Sequence, residues 1–385
     1  MQHINDPAPT PVYIANPSPF RLVLRDNHDI LPVSMEEKTY GVYRPLKLHR
    51  ATRFFDAHLR APYPLCVGYD GSLIMPAAEV YGDRDVVLEE FNRVCASLLI
   101  GGVYVDAVSP SDLSHGVMTM YGYFRHTVPF GPRAEFHQSL GIGPGFLGSL
   151  QKLTLIDPAT ILVEEYLSAY QNGHNVLQQV PTLAPELLVS AFSHHRSGLQ
   201  REALSHGWTC IEQVLSGIWV RDIVDERLRQ SGDMNSSFIQ SRQWTAAHKL
   251  ETLLIRNVIE IGLYQKLYEA RQARNGLVHR GEAPTRATVS AALYALIGLL
   301  EVAAQTHFEA VNLTRHLDQA PAISPPIVAQ AKDIDWSQPL HYITVDPIPG
   351  EASWNGEFES HDDITLHRLK MAKKSSNHES TDGAT

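Results

Sequence analysis

The residue types best suited to chemistry gather near residue 275. Arg274 and Asn275 are followed by His279, and Arg271 and Arg280 add positive charge on either side. Asn275 and His279 are four residues apart, so they share one face if this segment is helical. Guanidinium groups bind phosphate through paired N–H donors, and histidine exchanges a proton near neutral pH. The spacing therefore predicts a proton-transfer group inside a cationic cluster.

The element that must position these residues is a helix. Apolar residues recur at three- and four-residue steps ahead of Arg274, which predicts a helix over 260–280 with one buried stripe. Gly281 and Pro284 predict its end. His279 is accordingly expected at an exposed helix end. The stripe comprises Ile261, Leu263, Tyr264, Leu267, Tyr268, Ala270 and Ala273.

Two other patterns are weaker candidates. Gly143, Gly145 and Gly148 have the dinucleotide-binding spacing, but no buried strand precedes them and a proline interrupts the loop, so a plain turn is favoured. Adjacent His194 and His195 would point about 100° apart on a helix and lack a carboxylate at the i+4 position. We expect them to be surface or inter-helix side chains, and we expect neither a metal nor a cofactor.

Charge and cysteine content restrict the class of protein. The net charge of −10 argues against sequence-blind binding of nucleic acid over the whole surface. Residues 196–310 hold 13 Lys and Arg against 12 Asp and Glu, net +1, whereas the remainder is net −11, so a polyanion site is expected in 196–310. Three widely separated cysteines exclude a disulfide framework and fit a reducing compartment.

The N-terminal residues and the apolar runs indicate a cytoplasmic protein. The first ten residues lack the apolar core of a signal peptide. The strongest apolar run, Val289 to Leu300, is shorter than the roughly 20 residues that span a bilayer. Neither secretion nor membrane insertion is expected.

The chain is expected to have a mixed N-terminal part and a helical C-terminal part. Short apolar runs and the Asp70-Gly71 pair predict strands with a β-hairpin, and a helix over 85–100 should end at Gly101. After Pro158 the apolar period predicts a bundle with helices over 159–171, 185–220, 240–258, 260–280 and 286–312.

The fold class is therefore an α+β N-terminal region followed by an all-α helical bundle. We expect an N-terminal arm (1–18), an α+β domain of unknown role (19–150), a connecting helical segment (151–184), a helical domain (185–312) and an extended tail (313–385) whose end, 370–385, is disordered.

The motif near residue 275 resembles that of the HEPN ribonucleases, within them the Apea-like HEPN group. That family carries an Arg, usually followed by Asn, Asp or His, and then a His four to seven positions after the Arg. Arg274, Asn275 and His279 match it in type and spacing. An upstream helix over 203–215, with Glu212, and a following amphipathic helix from Ala287 match the context. The resemblance covers about a third of the chain, roughly 185–312.

The resemblance implies metal-independent cleavage of RNA by the substrate's own 2′-hydroxyl. Arg274 would hold the phosphate and His279 would transfer protons. Asn275 would orient the phosphate or His279 through its amide, and Arg271 and Arg280 would bind RNA phosphates. In the family two motifs meet across a symmetric dimer, so a homodimer is expected.

Two classes of function stay open at this point. One is an endoribonuclease acting as a toxin or in antiviral defence, with the N-terminal region as sensor or regulator and with a possible antitoxin or regulatory protein as partner. The other is a non-catalytic HEPN-fold module that binds a nucleotide or a protein partner. Cleavage of RNA in EDTA would separate them.

Overall fold

The computed structural model describes residues 9–18, 22–26, 37, 42–43, 45–141, 153–155, 158–224 and 244–307. All of them belong to one compact unit, Met1–Ala322. The glycines at 143, 145 and 148 and the expected tail at 313–385, with its end at 370–385, lie outside the described residues.

An antiparallel sheet forms the centre of the N-terminal region. Its six strands follow the order β4-β5-β6-β1-β7-β8, while β2 pairs in parallel with β10 and β3 pairs antiparallel with β9. The strands are β1 (Thr10–Ala15), β2 (Leu22–Arg25), β3 (Val42–Tyr43), β4 (Ala51–Phe55), β5 (Leu65–Gly68), β6 (Leu73–Pro76), β7 (Leu113–Met118), β8 (Phe124–Pro129), β9 (Leu153–Thr154) and β10 (Ala159–Leu162).

The expectation of an N-terminal arm is wrong for residues 10–15. They form β1, an inner strand that pairs with both β6 and β7, and Ile14 is fully buried. The prolines before and inside this segment favoured an arm, but four consecutive residues from Val12 are buried within the sheet. By contrast, the hairpin predicted at Asp70-Gly71 is confirmed: it joins β5 to β6, and Gly71 has a φ of +79°.

The helices differ from the expected ones mainly at their ends. The helix predicted over 85–100 is observed almost unchanged. The helix predicted from residue 159 starts only after β10. The helix predicted over 185–220 is broken into two helices at Gly198, whose φ is +81°. The helices are α1 (Pro45–Leu48), α2 (Arg84–Ile100), α3 (Pro132–Gly141), α4 (Val163–Gln179), α5 (Pro185–Arg196), α6 (Gln200–Trp219), α7 (Ala246–Ile255), α8 (Ile261–Arg280) and α9 (Arg286–Ala304).

Helices α2 and α4 pack unusually close to each other. A Cβ at Gly173 of α4 would lie 1.8 Å from the backbone oxygen of Ser97, and one at Gly101 would lie 1.8 Å from that of Ala169. Glycine is thus required on both sides of this crossing, because a methyl group would meet backbone that cannot rotate away.

One large hydrophobic cluster joins the sheet-bearing region to the helices that follow. Phe91 of α2, Tyr166 of α4, Phe192 of α5 and Leu296 of α9 all belong to it. The expected boundaries near 150 and 184 therefore do not separate two independent cores.

Packing contacts give the directions of the C-terminal helices. Leu263 at the start of α8 meets Gly298 late in α9, so α8 and α9 are antiparallel. On α6, Gly207 meets both Leu293 of α9 and Ala191 of α5. The Arg221 side chain, just after α6, donates to the Ala303 carbonyl at the end of α9, so α6 and α9 run in the same direction. The C-termini of α5 and α8 and the N-termini of α6 and α9 therefore lie on the same side of this helical group.

Helix α9 is long and apolar enough to cross a membrane by length and composition, the one such helix in the described part of the chain. Over half of its most apolar stretch, 56%, is buried inside the protein. Its apolar character is therefore accounted for by its position in the core.

Candidate active site at the end of helix α8

The candidate residues lie in the last two turns of α8. Gly281 ends the helix with a φ of +69°, and its N–H donates to the Leu277 carbonyl, while the Glu282 N–H donates to the Gly276 carbonyl. The helix and its glycine stop are thus confirmed. A left-handed glycine closes the helix without strain and turns the chain toward α9.

Arg274 and Asn275 contact each other. The Arg274 Nη1 donates to the Asn275 Oδ1 at 3.3 Å, and both side chains are half-buried. Arg274 comes four residues after Ala270 and seven after Leu267, which are buried, so it continues the bundle-facing stripe to the helix end. The protein therefore holds this guanidinium partly against its own surface.

His279 is exposed, as expected, and no hydrogen bond or ion pair engages it within the described residues. Helix geometry puts it about 40° around the axis from Asn275 but about 140° from Arg274. Asn275 and His279 therefore share the outward face of α8, whereas Arg274 does not.

The flanking cations are partly committed to other contacts. Arg280 donates to both carboxylate oxygens of Glu282, at 2.6 and 2.9 Å. This exposed pair lowers the pKa of Glu282 through the hydrogen bond from Arg280 and raises the pKa of Arg280. The Arg271 guanidinium lies 5.8 Å from the ring centre of Tyr268. Of these two flanking arginines, Arg280 is paired with a carboxylate, whereas Arg271 has no carboxylate partner among the described residues.

Two features of this site were not anticipated from the sequence. The first is Glu282, whose position two residues after Arg280, across the glycine turn, could have suggested the pair. The second is exposure within the expected buried stripe: Ile261 is 58% and Tyr268 41% exposed, whereas Leu267 and Ala270 are buried as expected. Apolar periodicity alone could not distinguish a core face from an uncovered one.

The histidines near residue 195 connect helices. The buried His195 approaches Gln200 Oε1 through its Nδ1 at 2.9 Å and Ser290 Oγ through its Nε2 at 3.1 Å, which links α5, α6 and α9. The His194 and His206 rings lie 5.0 Å apart, and burial lowers the pKa of His194, with His206 adding to the effect. No group of three or more metal-binding side chains occurs among the residues described.

Glu212, which the resemblance singled out, is exposed on α6. One turn further along α6, Ser216 accepts a hydrogen bond from the Lys249 Nζ of α7 at 3.0 Å. Burial lowers the pKa of Lys249, and the nearby Glu212 carboxylate opposes this shift.

No family model, curated protein or solved structure matches the chain. What the end of α8 can do is therefore judged from its residues and their geometry.

Proposed function

We propose that the chain is a metal-independent endoribonuclease of the HEPN type and that the end of α8 is its active site. The observation that supports this most is that Arg274, Asn275 and His279 lie within two turns of one helix, with His279 exposed and unengaged among the described residues. Residues 278–283 are exposed, so this helix end is accessible to a large substrate.

The proposed reaction is transfer of the RNA phosphate to its own 2′-oxygen. The 2′-hydroxyl loses its proton and attacks phosphorus, the bond to the 5′-oxygen breaks, and that oxygen gains a proton. The products are a 2′,3′-cyclic phosphate and a 5′-hydroxyl. His279 suits either proton transfer, and Arg274 suits the charge that grows on the phosphate oxygens, because a planar guanidinium donates two parallel hydrogen bonds.

The geometry of a single α8 favours a site made by two copies of the chain. Arg274 and His279 point about 140° apart on the same helix. One phosphate is therefore poorly placed to contact both within one chain, whereas a two-fold axis beside the end of α8 would bring a second Arg274 and a second His279 to the same cleft.

The outward face of α8 also has the composition of a contact surface. Ile261 and Tyr268 are exposed on the face that carries Asn275 and His279, and Val278 is 55% exposed beside them. Exposed apolar side chains rimmed by polar ones are typical of protein contacts. A second copy of the chain would cover them and also bring the two motifs together.

Cleavage of a labelled single-stranded RNA in EDTA tests the assignment. We expect the purified protein to cut the RNA and the His279→Ala variant to lose about 100- to 10,000-fold in rate, the usual contribution of a general acid or base. The thermal midpoint should not change, since His279 is exposed. Arg274→Lys should also lose activity, because lysine keeps the charge but not the paired donors.

The matched control is His248→Ala, which removes an exposed histidine from α7. It should cleave like the wild type. Full activity in His279→Ala would refute the assignment. Production of the wild type in cells should arrest growth, and production of His279→Ala should not, as a toxin or defence effector requires.

The dimer is tested by sedimentation. We expect about twice 42.9 kDa for the wild type at micromolar concentration. Ile261→Glu and Tyr268→Glu should give monomers without nuclease activity, whereas Val80→Glu, at a 51% exposed apolar position in the sheet-bearing region, should not. A monomer that cleaves RNA at the wild-type rate would contradict the composite site.

A second candidate is a non-catalytic HEPN-fold module that binds a nucleotide or a protein such as an antitoxin. Two contacts favour it: Arg280 is paired with Glu282, and Arg274 is held by Asn275. Both leave the cations less available to a phosphate. If the wild type fails to cut RNA in EDTA and does not arrest growth, this candidate replaces the first.

A further inference from the structure

Two stacked histidines join the loop between β4 and β5 to helix α4. The ring of His58, in the loop, lies 4.5 Å from that of His174, in α4, and the two planes meet at 27°. Tyr170, one turn earlier in α4, stacks on His174 at 5.7 Å. His174 is buried, whereas His58 is exposed. The contact therefore places an ionisable side chain of the interior against one that solvent reaches.

The loop backbone has an uncommon conformation at this contact. His58 has a φ of +49°, in the left-handed region that residues other than glycine seldom adopt. Two hydrogen bonds hold it there: its N–H donates to Asp56 Oδ1 at 2.8 Å, and its carbonyl accepts from Arg93 Nη2 of α2 at 2.8 Å. Such conformations persist where surrounding contacts maintain them. Loss of the contacts to α2 and α4 would let this part of the loop relax.

Positive charge on His174 is disfavoured at this position. Burial lowers the pKa of His174 most, and His58 from the loop and Arg93 from α2 lower it further. Asp56 opposes these effects, but its side chain is exposed, so water screens its charge. A proton on both histidines would therefore place two cationic rings with their centres 4.5 Å apart, near a guanidinium.

The other groups around this contact do not compensate that charge. The buried Glu90 of α2 is already paired with Arg93 at 2.5 Å and with Arg60 of the loop at 3.1 Å. Burial raises the pKa of Tyr170 to about 12, so its hydroxyl stays neutral in acid. The Gln178 amide, whose Nε2 lies 3.4 Å from the buried imidazole, carries no charge. Charge on the histidine pair is therefore relieved by separation of the two rings.

We propose that His58 and His174 form an acid-sensitive switch that releases residues 56–60 from α4. Both rings take up protons readily once they are apart in water, so a fall in pH below about 6.5 favours the released loop. The movement is limited to these residues, because β4 precedes them and the Ala61 N–H, after them, donates to the Tyr81 hydroxyl at 3.1 Å. Release uncovers α4 around His174. The switch is independent of the ribonuclease proposed above.

Hydrogen exchange of the full chain at about pH 7.5 and about pH 5.5, corrected for the pH dependence of the chemical rate, tests the proposal. We expect protection of the amides of residues 56–60 to fall by about tenfold or more in acid, while α9 keeps its protection. His58→Gln/His174→Gln should abolish this fall, because neither glutamine titrates. The matched control, His194→Gln/His206→Gln, removes a second close histidine pair, whose rings lie 5.0 Å apart between α5 and α6, and should retain the fall.

Asp56→Asn tests the charges without removing either ring. Asparagine still accepts the His58 N–H but no longer opposes the positive charge, so release should begin at a higher pH than in the wild type. The proposal is overturned if residues 56–60 keep their protection in acid, if His58→Gln/His174→Gln loses it as the wild type does, or if Asp56→Asn delays release to a lower pH. Loss of protection in α9 at the same pH would also overturn it, because the whole chain would then be unfolding.

Discussion

Helices α2 and α8 are similar in length but differ sharply in burial. Of the 17 residues of α2, 11 are buried, including Glu90 and Asn92, whereas α8 buries only Leu267, Ala270 and Gly276 of its 20. Packing constrains nearly every position of α2. Half of the positions of α8 are exposed, so their side chains are available for contacts with other molecules.

The neighbours of each helix explain the difference. Close crossing by α4 at Gly101 and Gly173 and packing in the central core leave α2 little free surface. Helix α8 instead packs along one side and ends at a left-handed glycine. The comparison indicates that substitutions on α2 and its contacts act through stability, whereas substitutions on the outer face of α8 act through binding or catalysis.

The largest expected effect on folding is at the α2–α4 crossing. Gly173→Ala should lower the free energy of unfolding by about 3 kcal/mol, at the upper end for overpacking, because the new methyl group meets the Ser97 carbonyl. Chemical denaturation of the two proteins measures this difference.

The matched substitution on α8 is Gly262→Ala, where a Cβ would have no atom within 4 Å. It should raise the free energy of unfolding by about 0.4–1 kcal/mol, because alanine restricts the unfolded chain. Equal effects of the two substitutions would remove the contrast between the helices.

A second prediction concerns acid. Burial lowers the pKa of His49, opposed by Asp70, and also lowers the pKa of His174, with His58 and Arg93 adding to the shift. A histidine whose pKa is lowered in the folded state takes up protons preferentially when unfolded. Stability should therefore be intact above the unfolded value of about 6.5 and should fall as the pH drops below it.

Thermal midpoints between pH 8 and pH 5 check this prediction. His174→Gln should flatten the decline, because the amide does not titrate in this range. A decline as steep in this variant as in the wild type would assign the acid sensitivity to other groups.

The smallest expected effect is at the Arg280–Glu282 pair. Glu282→Gln should release the guanidinium and tighten RNA binding a few-fold, and the slope of log affinity against log salt should steepen by roughly one. Filter binding of a non-cleaved RNA at several salt concentrations measures both. An unchanged slope would mean that Arg280 does not reach a phosphate.

Local chemistry allowed the sequence to predict several elements closely. The apolar period of α2, the Asp70-Gly71 hairpin and the end of α8 at Gly281 depend on residues near each other in the chain. Glycine with positive φ and a 3.6-residue period act over a few residues, so neither requires knowledge of the rest of the fold. The exposure of His279 followed from the same helix end.

Only the tertiary structure decided which surfaces are covered. Strand pairing between distant segments made residues 10–15 an inner strand, although their prolines favoured an arm. Within the predicted apolar stripe of α8, Leu267 and Ala270 are buried whereas Ile261 and Tyr268 are exposed, so burial and exposure could not be distinguished by residue type. Long-range packing sets the directions of the helices. These directions bring the C-termini of α5 and α8 to the same side as the N-termini of α6 and α9. The sequence by itself determined where α8 ends and which residues it carries there, and packing determined that its outer face stays open.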